Sequence, residues 1–344
     1  MMNQYDFDSL MLQQIRGSVE DIEKIAAAED FSFFEKAVPE DVMRSVHNVY
    51  LTGCGDSWCA SIAAKPVFEK ADTSEKTGMV PGTPTQAFRN IEFTRFFNTY
   101  KNWDPISEGN DLLCSVSISG SPARPAEAAL RMNAVGGKSV AFTTKPESRL
   151  GQSSTYVVPM TLPKDGLCPN VTSYYASLFS LMTFGFYMNR AKGVLTTEQA
   201  EKCREGLLDY ARSYDGEVME RLGAQALELA RAWEEDGVDN MDFIGDGPDW
   251  ATAFFGSAKM VEACGMLTTN DDSDGWNHIN FFLKNHDRIG TFFVANGDSP
   301  AFSRELETIR VAANIRKHLA VITDADPSLF PESAARQAMG AGGA

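Results

Sequence analysis

One stretch constrains this chain more than any other: Leu112 to Glu127, LLCSVSISGSPARPAE. It opens as a β-branched and apolar run to Ile118, then breaks into Ser117, Ser119 and Ser121 around Gly120. Pro122 and Pro125 follow, and Glu127 to Met132 reads as helix. A strand, a serine–glycine loop and a helix in that order make an anion cradle in an open α/β sheet. The loop lies outside the carboxyl end of the strand. There its N–H groups and the helix N-terminus favour negative charge, and serine hydroxyls add donors. Pro122 suits the first helical turn, where no N–H is needed. A plain βα turn with serine as N-cap satisfies the same residues, so this stretch alone leaves both readings open.

The 344 residues give room for two α/β domains, and 43% hydrophobic residues supply a real core. Thirty-one basic against 47 acidic residues give a net charge of −16. That excludes nonspecific nucleic-acid or anionic-membrane binding as the chain's business. A small anionic ligand is still compatible, because dipoles in one pocket outweigh distant surface charge. The N-terminus, MMNQYDFDSLMLQQ, lacks the basic and apolar regions of a signal peptide. The most apolar stretch, Ala176 to Met188, is too short to span a bilayer. Six cysteines form no CxxC pair and four histidines no HExxH pattern. Reduced thiols in the cytoplasm, and no metal site, are therefore expected.

Residues 1–45 read as helical, with Leu10, Gln14, Ile15, Val19, Ile22 and Ile25 at a rough 3.6 period. Val46 to Thr52 reads as a strand that ends in Gly53-Cys54-Gly55-Asp56-Ser57 and feeds a helix from Trp58 to Lys70. This is a second unit of the same design. Glycines let the backbone approach a ligand, and Ser57 either donates to it or caps the helix. Residues 71–110 read as loop-rich, with a short helix near Thr85 to Asn98. Strands follow at Lys138–Thr144 and Thr155–Met160, then an apolar helix from Asn170 to Asn189. Strands separated by helices imply a parallel sheet of right-handed crossovers.

Residues 191–238 read as a helical linker, after which the pattern restarts. Met241 to Ile244 is a strand, Gly245 to Asp249 a glycine turn and Trp250 to Met266 a helix. Leu267 to Asn280 reads as a polar, acidic loop. Ile289–Ala295, Pro300–Lys317 and His318–Thr323 read as strand, helix and strand. Gly53–Ser57 and Gly245–Asp249 are thus equivalent turns in an internal repeat. Asn296-Gly297-Asp298-Ser299 is a poor substitute for the serine loop, so a single anion site is expected, in the first copy. After Asp326 the chain is low in complexity, and a shorter second lobe is expected.

The two serine turns, in this order and within a paired repeat, resemble the sugar isomerase (SIS) family. The likeness is to its two-domain group, which holds the isomerase half of glucosamine-6-phosphate synthase, fructosamine-6-phosphate deglycases and tagatose/galactosamine-phosphate isomerase-like proteins. It covers roughly residues 45–190 and 238–325. It implies an α/β fold of two tandem doubly wound parallel-sheet lobes. The expected parts are a helical segment at 1–45, a first lobe at 46–190, the linker at 191–238 and a second lobe at 239–344. It also implies a phosphate cradle of Ser57, Ser117, Ser119 and Ser121, joined by Ser173, with Gly55 and Val171 toward the sugar. Gly256 to Glu262 resembles the family helix that ends in a catalytic glutamate, and His278 stands sixteen residues on, where the family has its histidine. Lys259, one turn before Glu262, either sets its charge state, holds a substrate oxygen or forms a surface ion pair.

The chemistry agrees with the resemblance. Proton transfer between C1 and C2 of an open-chain sugar needs a carboxylate base, and ring opening a group that gives and takes a proton near pH 7. The implied function is aldose–ketose isomerisation of a sugar phosphate through an enol(amine), without a cofactor and in a homodimer. Two alternatives are kept: a deglycase or deaminase acting on an amino-sugar phosphate, and a non-catalytic phosphosugar sensor. The chain departs from the family pattern at Pro122, at Tyr174 and Tyr175, and at Ile279-Asn280 after the histidine. The family's catalytic C-terminal lysine tail has no counterpart after Ala325.

Overall fold

The computed structural model describes residues 9–72, 79–97, 110–163, 169–335 and 338–339. Cys168, read above as a reduced thiol, and most of the N-terminal stretch lie outside them. So do parts of the loop-rich 71–110 and of the low-complexity C-terminus. The chain divides into two compact units, Met1–Arg212 and Ser213–Ala344.

The first unit opens with α1 (Leu10–Arg16), α2 (Ser18–Ala28), α3 (Phe31–Ala37) and α4 (Glu40–Ser45). Asp30 starts α3 by accepting the Phe33 N–H at 2.8 Å. Strand β1 (Asn48–Gly53) and α5 (Asp56–Glu69) follow, then a small antiparallel pair, β2 (Lys70–Asp72) with β3 (Met79–Pro81). Next come β4 (Thr85–Arg89), α6 (Asn90–Arg95), β5 (Asp111–Val116), α7 (Ala123–Ala134), β6 (Lys138–Thr143), α8 (Arg149–Ser153) and β7 (Tyr156–Pro159). Helices α9 (Thr172–Ala191) and α10 (Thr197–Arg212) close the unit.

The sheet order is β4-β1-β5-β6-β7, all parallel. Every residue of β5 is buried, as expected of a parallel strand covered on both faces. The core lies where α9 packs on the sheet: Phe179, Leu181, Phe184 and Met188 meet Val49, Leu51, Phe68 and Phe142. Helix α9 is apolar nearly all round because it is enclosed, with α2 and α3 on one side and α5 on another. Helix α10 places Ala200 and Leu208 in this same core.

The second unit repeats the plan. It runs α11 (Gly216–Glu235), β8 (Asn240–Ile244), α12 (Pro248–Cys264), β9 (Leu267–Asp271), α13 (Ser273–Ile279), β10 (Ile289–Ala295), α14 (Phe302–Ile315) and β11 (His318–Thr323). A four-residue α15 (Glu332–Ala335) and a two-residue β12 (Ala338–Met339) follow. The order β12-β11-β10-β8-β9 matches the first sheet strand for strand, again all parallel. Helix α11 covers the sheet with Leu229 and Trp233, which pack on Val238 and Ala320. The β8–β10 pair is tied by a buried cluster. Asp242 accepts from Trp276 Nε1 at 2.9 Å, Thr291 Oγ1 at 3.2 Å and Arg316 Nη2 at 3.2 Å.

Two expectations fail. Thr85 to Asn98 is not one helix: Thr85–Arg89 is the edge strand β4, and only Asn90–Arg95 is helical. Glu92 ends the strand, because its carboxylate accepts the Arg89 N–H and starts α6. Leu267 to Asn280 is not a loop either. Leu267–Asp271 pairs with β8 as edge strand β9, and Asp272 caps α13 by accepting the Gly275 N–H at 2.7 Å. The second lobe also has a fifth strand, since Ala338 and Met339 pair with Val321 and Ile322. Among the described residues no helix is long and apolar enough to cross a membrane.

Candidate functional site

In each sheet the first strand has its sequential successor on one side and the third strand on the other. The connections therefore reverse between β1 and β5, and between β8 and β10. In open α/β sheets, ligands bind in the crevice outside the carboxyl ends of the strands at such a switch point. The β1–β5 crevice is flanked by the two turns singled out from the sequence.

On the β1 side, Gly53 lets the helix return closely: a Cβ there would stand 2.6 Å from the Ser57 main chain. Gly55, at φ 54° and ψ −126°, precedes α5 without a side-chain cap. Ser57 sits in the first turn, only 9% exposed. On the β5 side, Gly120 has φ 59°, and its carbonyl accepts the Leu150 N–H at 2.9 Å. A Cβ on Gly120 would fall 1.9 Å from Ser148 Oγ. Thr143 and Thr144 hydroxyls hold the loop from below through the Ile118 carbonyl, at 3.0 and 2.8 Å.

The loop is thus fixed from its carbonyl side, which leaves donors facing outward. Ser117 and Gly120 N–H groups are engaged, by Phe142 and Ser117 carbonyls. Among the described residues, nothing bonds the Ile118 and Ser119 N–H groups or the Ser57 and Ser117 hydroxyls. Ser121 is exposed and folds back, donating from Oγ to the Ser119 carbonyl at 3.2 Å. Helix α7 begins after Pro122 with no side-chain cap, so its first-turn N–H groups add positive potential. The sum is a donor-rich, acceptor-poor crevice suited to a phosphate.

Ser173, in the first turn of α9, donates to Asp56 Oδ2 at 3.4 Å, which brings a third element to this edge. Asp56 was quoted in the motif but not singled out by the sequence reading. It sets one carboxylate among the hydroxyls. Val171 is buried, with its N–H given to Gln14 Oε1 at 2.8 Å and its carbonyl taken by Tyr174 and Tyr175. Arg89, also unforeseen, stacks on Trp58 at 4.3 Å, and Asn90 Nδ2 donates to Cys54 Sγ at 3.0 Å.

The other expected residues lie in the second unit. Glu262 is exposed in the last turn of α12, and the nearly buried Lys259 Nζ reaches its Oε2 at 2.7 Å. An i,i+3 pair of this kind orients the carboxylate. His278 is exposed in the last turn of α13, and among the described residues nothing is hydrogen bonded to it. Around these two, Val261, Leu267, Ile279 and Phe282 are each half or more exposed. The acidic residues before His278 have local duties: Asp272 caps α13, and Asp274 pairs with Arg304 at 2.8 Å.

Comparison with solved structures decides the fold. The chain superposes on the C-terminal domain of glucosamine-fructose-6-phosphate aminotransferase from Francisella tularensis with a TM-score of 0.77. The match covers 98% of this chain and 90% of that one, at 16% identity.

The chain has the fold of the two-domain sugar isomerases.

The sugar-isomerase fold recurs in the tagatose-6-phosphate ketose/aldose isomerase of Escherichia coli, with a TM-score of 0.60, 14% identity and 94% and 81% of the two chains covered. By sequence, the chain is 22% identical over 266 residues to the glutamine–fructose-6-phosphate aminotransferase [isomerizing] of Clostridium tetani. That match spans 74% of this chain but 40% of the relative. The chain thus covers well under half the length of that curated relative. No protein-family model matches it.

Proposed function

We propose that this sugar-isomerase-fold chain binds a sugar phosphate in the β1–β5 crevice and interconverts its aldose and ketose forms. The observation that carries the reading is the serine loop: it presents free N–H groups and hydroxyls at the switch point while its carbonyls are tied down. Ser57, Ser117, Ser119 and Ser121 hold the phosphate, and Ser173 and the Gly55 backbone approach the sugar. Glu262, oriented by Lys259, moves the proton between C1 and C2 through an enol(amine). His278 opens the ring.

A homodimer belongs to the same reading. The exposed apolar side chains around Glu262 and His278 are what a second copy would cover and dry. Sedimentation at micromolar concentration gives a dimer if so, and Phe282→Asp gives a monomer.

One observation favours a second reading, action on an amino-sugar phosphate. Asp56, beside Ser173, offers a carboxylate where an ammonium group would be welcome. A panel of hexose, hexosamine and fructosamine 6-phosphates, with unphosphorylated controls, tests both. Thermal stabilisation by phosphorylated sugars alone, lost in Ser119→Ala, supports the cradle. Turnover lost in Glu262→Gln with binding retained supports the base. Release of ammonia or an amine selects the second reading, and tight binding without turnover identifies a sensor. Equal stabilisation by unphosphorylated sugars defeats the cradle.

A further inference from the structure

The second lobe has its own switch-point crevice, between β8 and β10, and its chemistry is the reverse of the first. The backbones correspond closely. Gly247 has φ 58° and ψ −121°, against 54° and −126° at Gly55. A Cβ on Gly245 would stand 2.6 Å from the Asp249 main chain, as one on Gly53 would from Ser57. Asp249 therefore stands where the first lobe has Ser57. Counting from the ends of the third and fourth strands, Asp324 stands for Thr144 and Glu305 for Ala126.

Each replacement turns a donor or an inert group into an acceptor. In the first lobe Thr144 donates to a loop carbonyl. In the second, Asp324 takes the Gly297 N–H at 2.7 Å and Asp249 takes the Asn296 N–H at 3.3 Å. The loop N–H groups that would greet an anion are consumed by carboxylates. Behind them Glu305 is fully buried, and neither of its oxygens has a hydrogen-bond partner among the described residues. It faces the β8 turn: Asp246 and Asp249 are its charged neighbours. Asp246 uses Oδ1 to accept the Ser273 N–H, while its Oδ2 is buried and unpartnered. Among the described residues no lysine or arginine pairs with Asp246, Asp249, Glu305 or Asp324. Burial and these neighbours push Glu305 up to about 8 and Asp249 up to about 6, the mark of carboxylates awaiting positive charge.

We propose that the β8–β10 crevice is a site for an ammonium-type cation, held by Asp246 and Glu305 with Asp249 at its mouth. Three buried carboxylate oxygens lack donors, Asp246 Oδ2 and both of Glu305. An ammonium group has three or four N–H donors at a single centre, so one small ion answers all three. A metal is the poorer fit: among the described residues no three His, Cys, Asp or Glu side chains are placed to hold one. The site is independent of the phosphate cradle and stands whether or not that reading does.

Thermal unfolding of the whole chain at pH 8 tests it, in ammonium, methylammonium, potassium, sodium and tetramethylammonium chlorides at equal ionic strength. Ammonium and methylammonium are expected to raise the midpoint by a few degrees over sodium. Tetramethylammonium, which has no N–H, gives nothing. Glu305→Gln removes the ammonium response, and Asp249→Asn weakens it. Ammonium no better than sodium, potassium as good as ammonium, or a full response in Glu305→Gln would each overturn the site. Should Glu305→Gln fail to fold, the ion series on the unaltered chain still decides.

Discussion

Gly120 carries the cradle loop at the scale of a single residue. Its positive φ and the 1.9 Å approach of Ser148 Oγ leave no room for a side chain. Gly120→Ala is expected to cost on the order of 2–4 kcal/mol, from backbone strain plus overpacking, and to abolish stabilisation by sugar phosphate. Gly206→Ala is the control. Gly206 lies inside α10 with nothing near its Cβ position, so alanine there should stabilise by about 0.5–1 kcal/mol. Denaturant midpoints of the two variants should move in opposite directions. Glu305 makes a prediction in pH. Its folded-state pKa is raised to about 8 from the usual 4.5, by burial first and by Asp246 and Asp249 next. Below about 4.5 both folded and unfolded chains hold the proton and nothing is lost. As pH rises toward 8 the unfolded chain releases it and the folded chain must follow, so stability falls. The loss reaches a few kcal/mol, and Asp249 and Asp324 in the same crevice add to its slope below pH 6. Between pH 6 and 8.5 the unaltered chain should lose more stability than Glu305→Gln. Parallel curves for the two would show that Glu305 does not titrate there.

At the scale of elements, the β8–β10 pair depends on Asp242. It accepts from Trp276, Thr291 and Arg316, and the Arg316 side chain is fully buried with Trp276 stacked at 5.2 Å. Removing one member of a buried ion pair leaves the other uncompensated, which typically costs about 3–5 kcal/mol. Asp242→Ala should lower the second unit's stability by that order, whereas replacing Asp242 and Arg316 together by apolar residues should cost much less. A double-mutant cycle read by denaturant unfolding checks it. This cluster also marks where sequence reading stopped. Asp242, Thr291 and Arg316 are 74 positions apart at the extremes, and their partnership exists only once β8 and β10 are paired. The central strands were legible because they are apolar runs such as Leu112–Val116 and Ile289–Ala295. The edge strands were not. Thr85–Arg89 and Leu267–Asp271 carry polar residues on one side, and their strand character comes from the neighbour they pair with. The serine loop was legible as a motif, because Ser, Gly and Pro punctuate the chain strongly. Glu305 was hidden inside an ordinary amphipathic helix, SRELETIRVAANI, where only burial tells it from the exposed Glu307.

At the scale of the molecule, the duplication was readable from two glycine turns, and the sheets carry it through: β4-β1-β5-β6-β7 against β9-β8-β10-β11-β12. Two copies of one plan with opposite crevice chemistry lead to a prediction about how the chain unfolds. The first unit has its core around Phe184, Leu51 and Phe142; the second has its own around Ile244, Trp276 and Phe293. Calorimetry of the whole chain should resolve two transitions, one per unit. A sugar phosphate held by the first-lobe cradle should move one of them. At a hundred times its Kd the stabilisation is about 2.7 kcal/mol, roughly 5–10 °C for a unit of this size. Raising the pH from 6 to 8.5 should lower the other through Glu305, and Glu305→Gln should flatten that response without touching the sugar-phosphate shift. Independent movement of the two transitions would place the cradle in one copy and the carboxylate crevice in the other. If sugar phosphate and pH instead move one and the same transition in every variant, the assignment of opposite chemistry to the two copies fails.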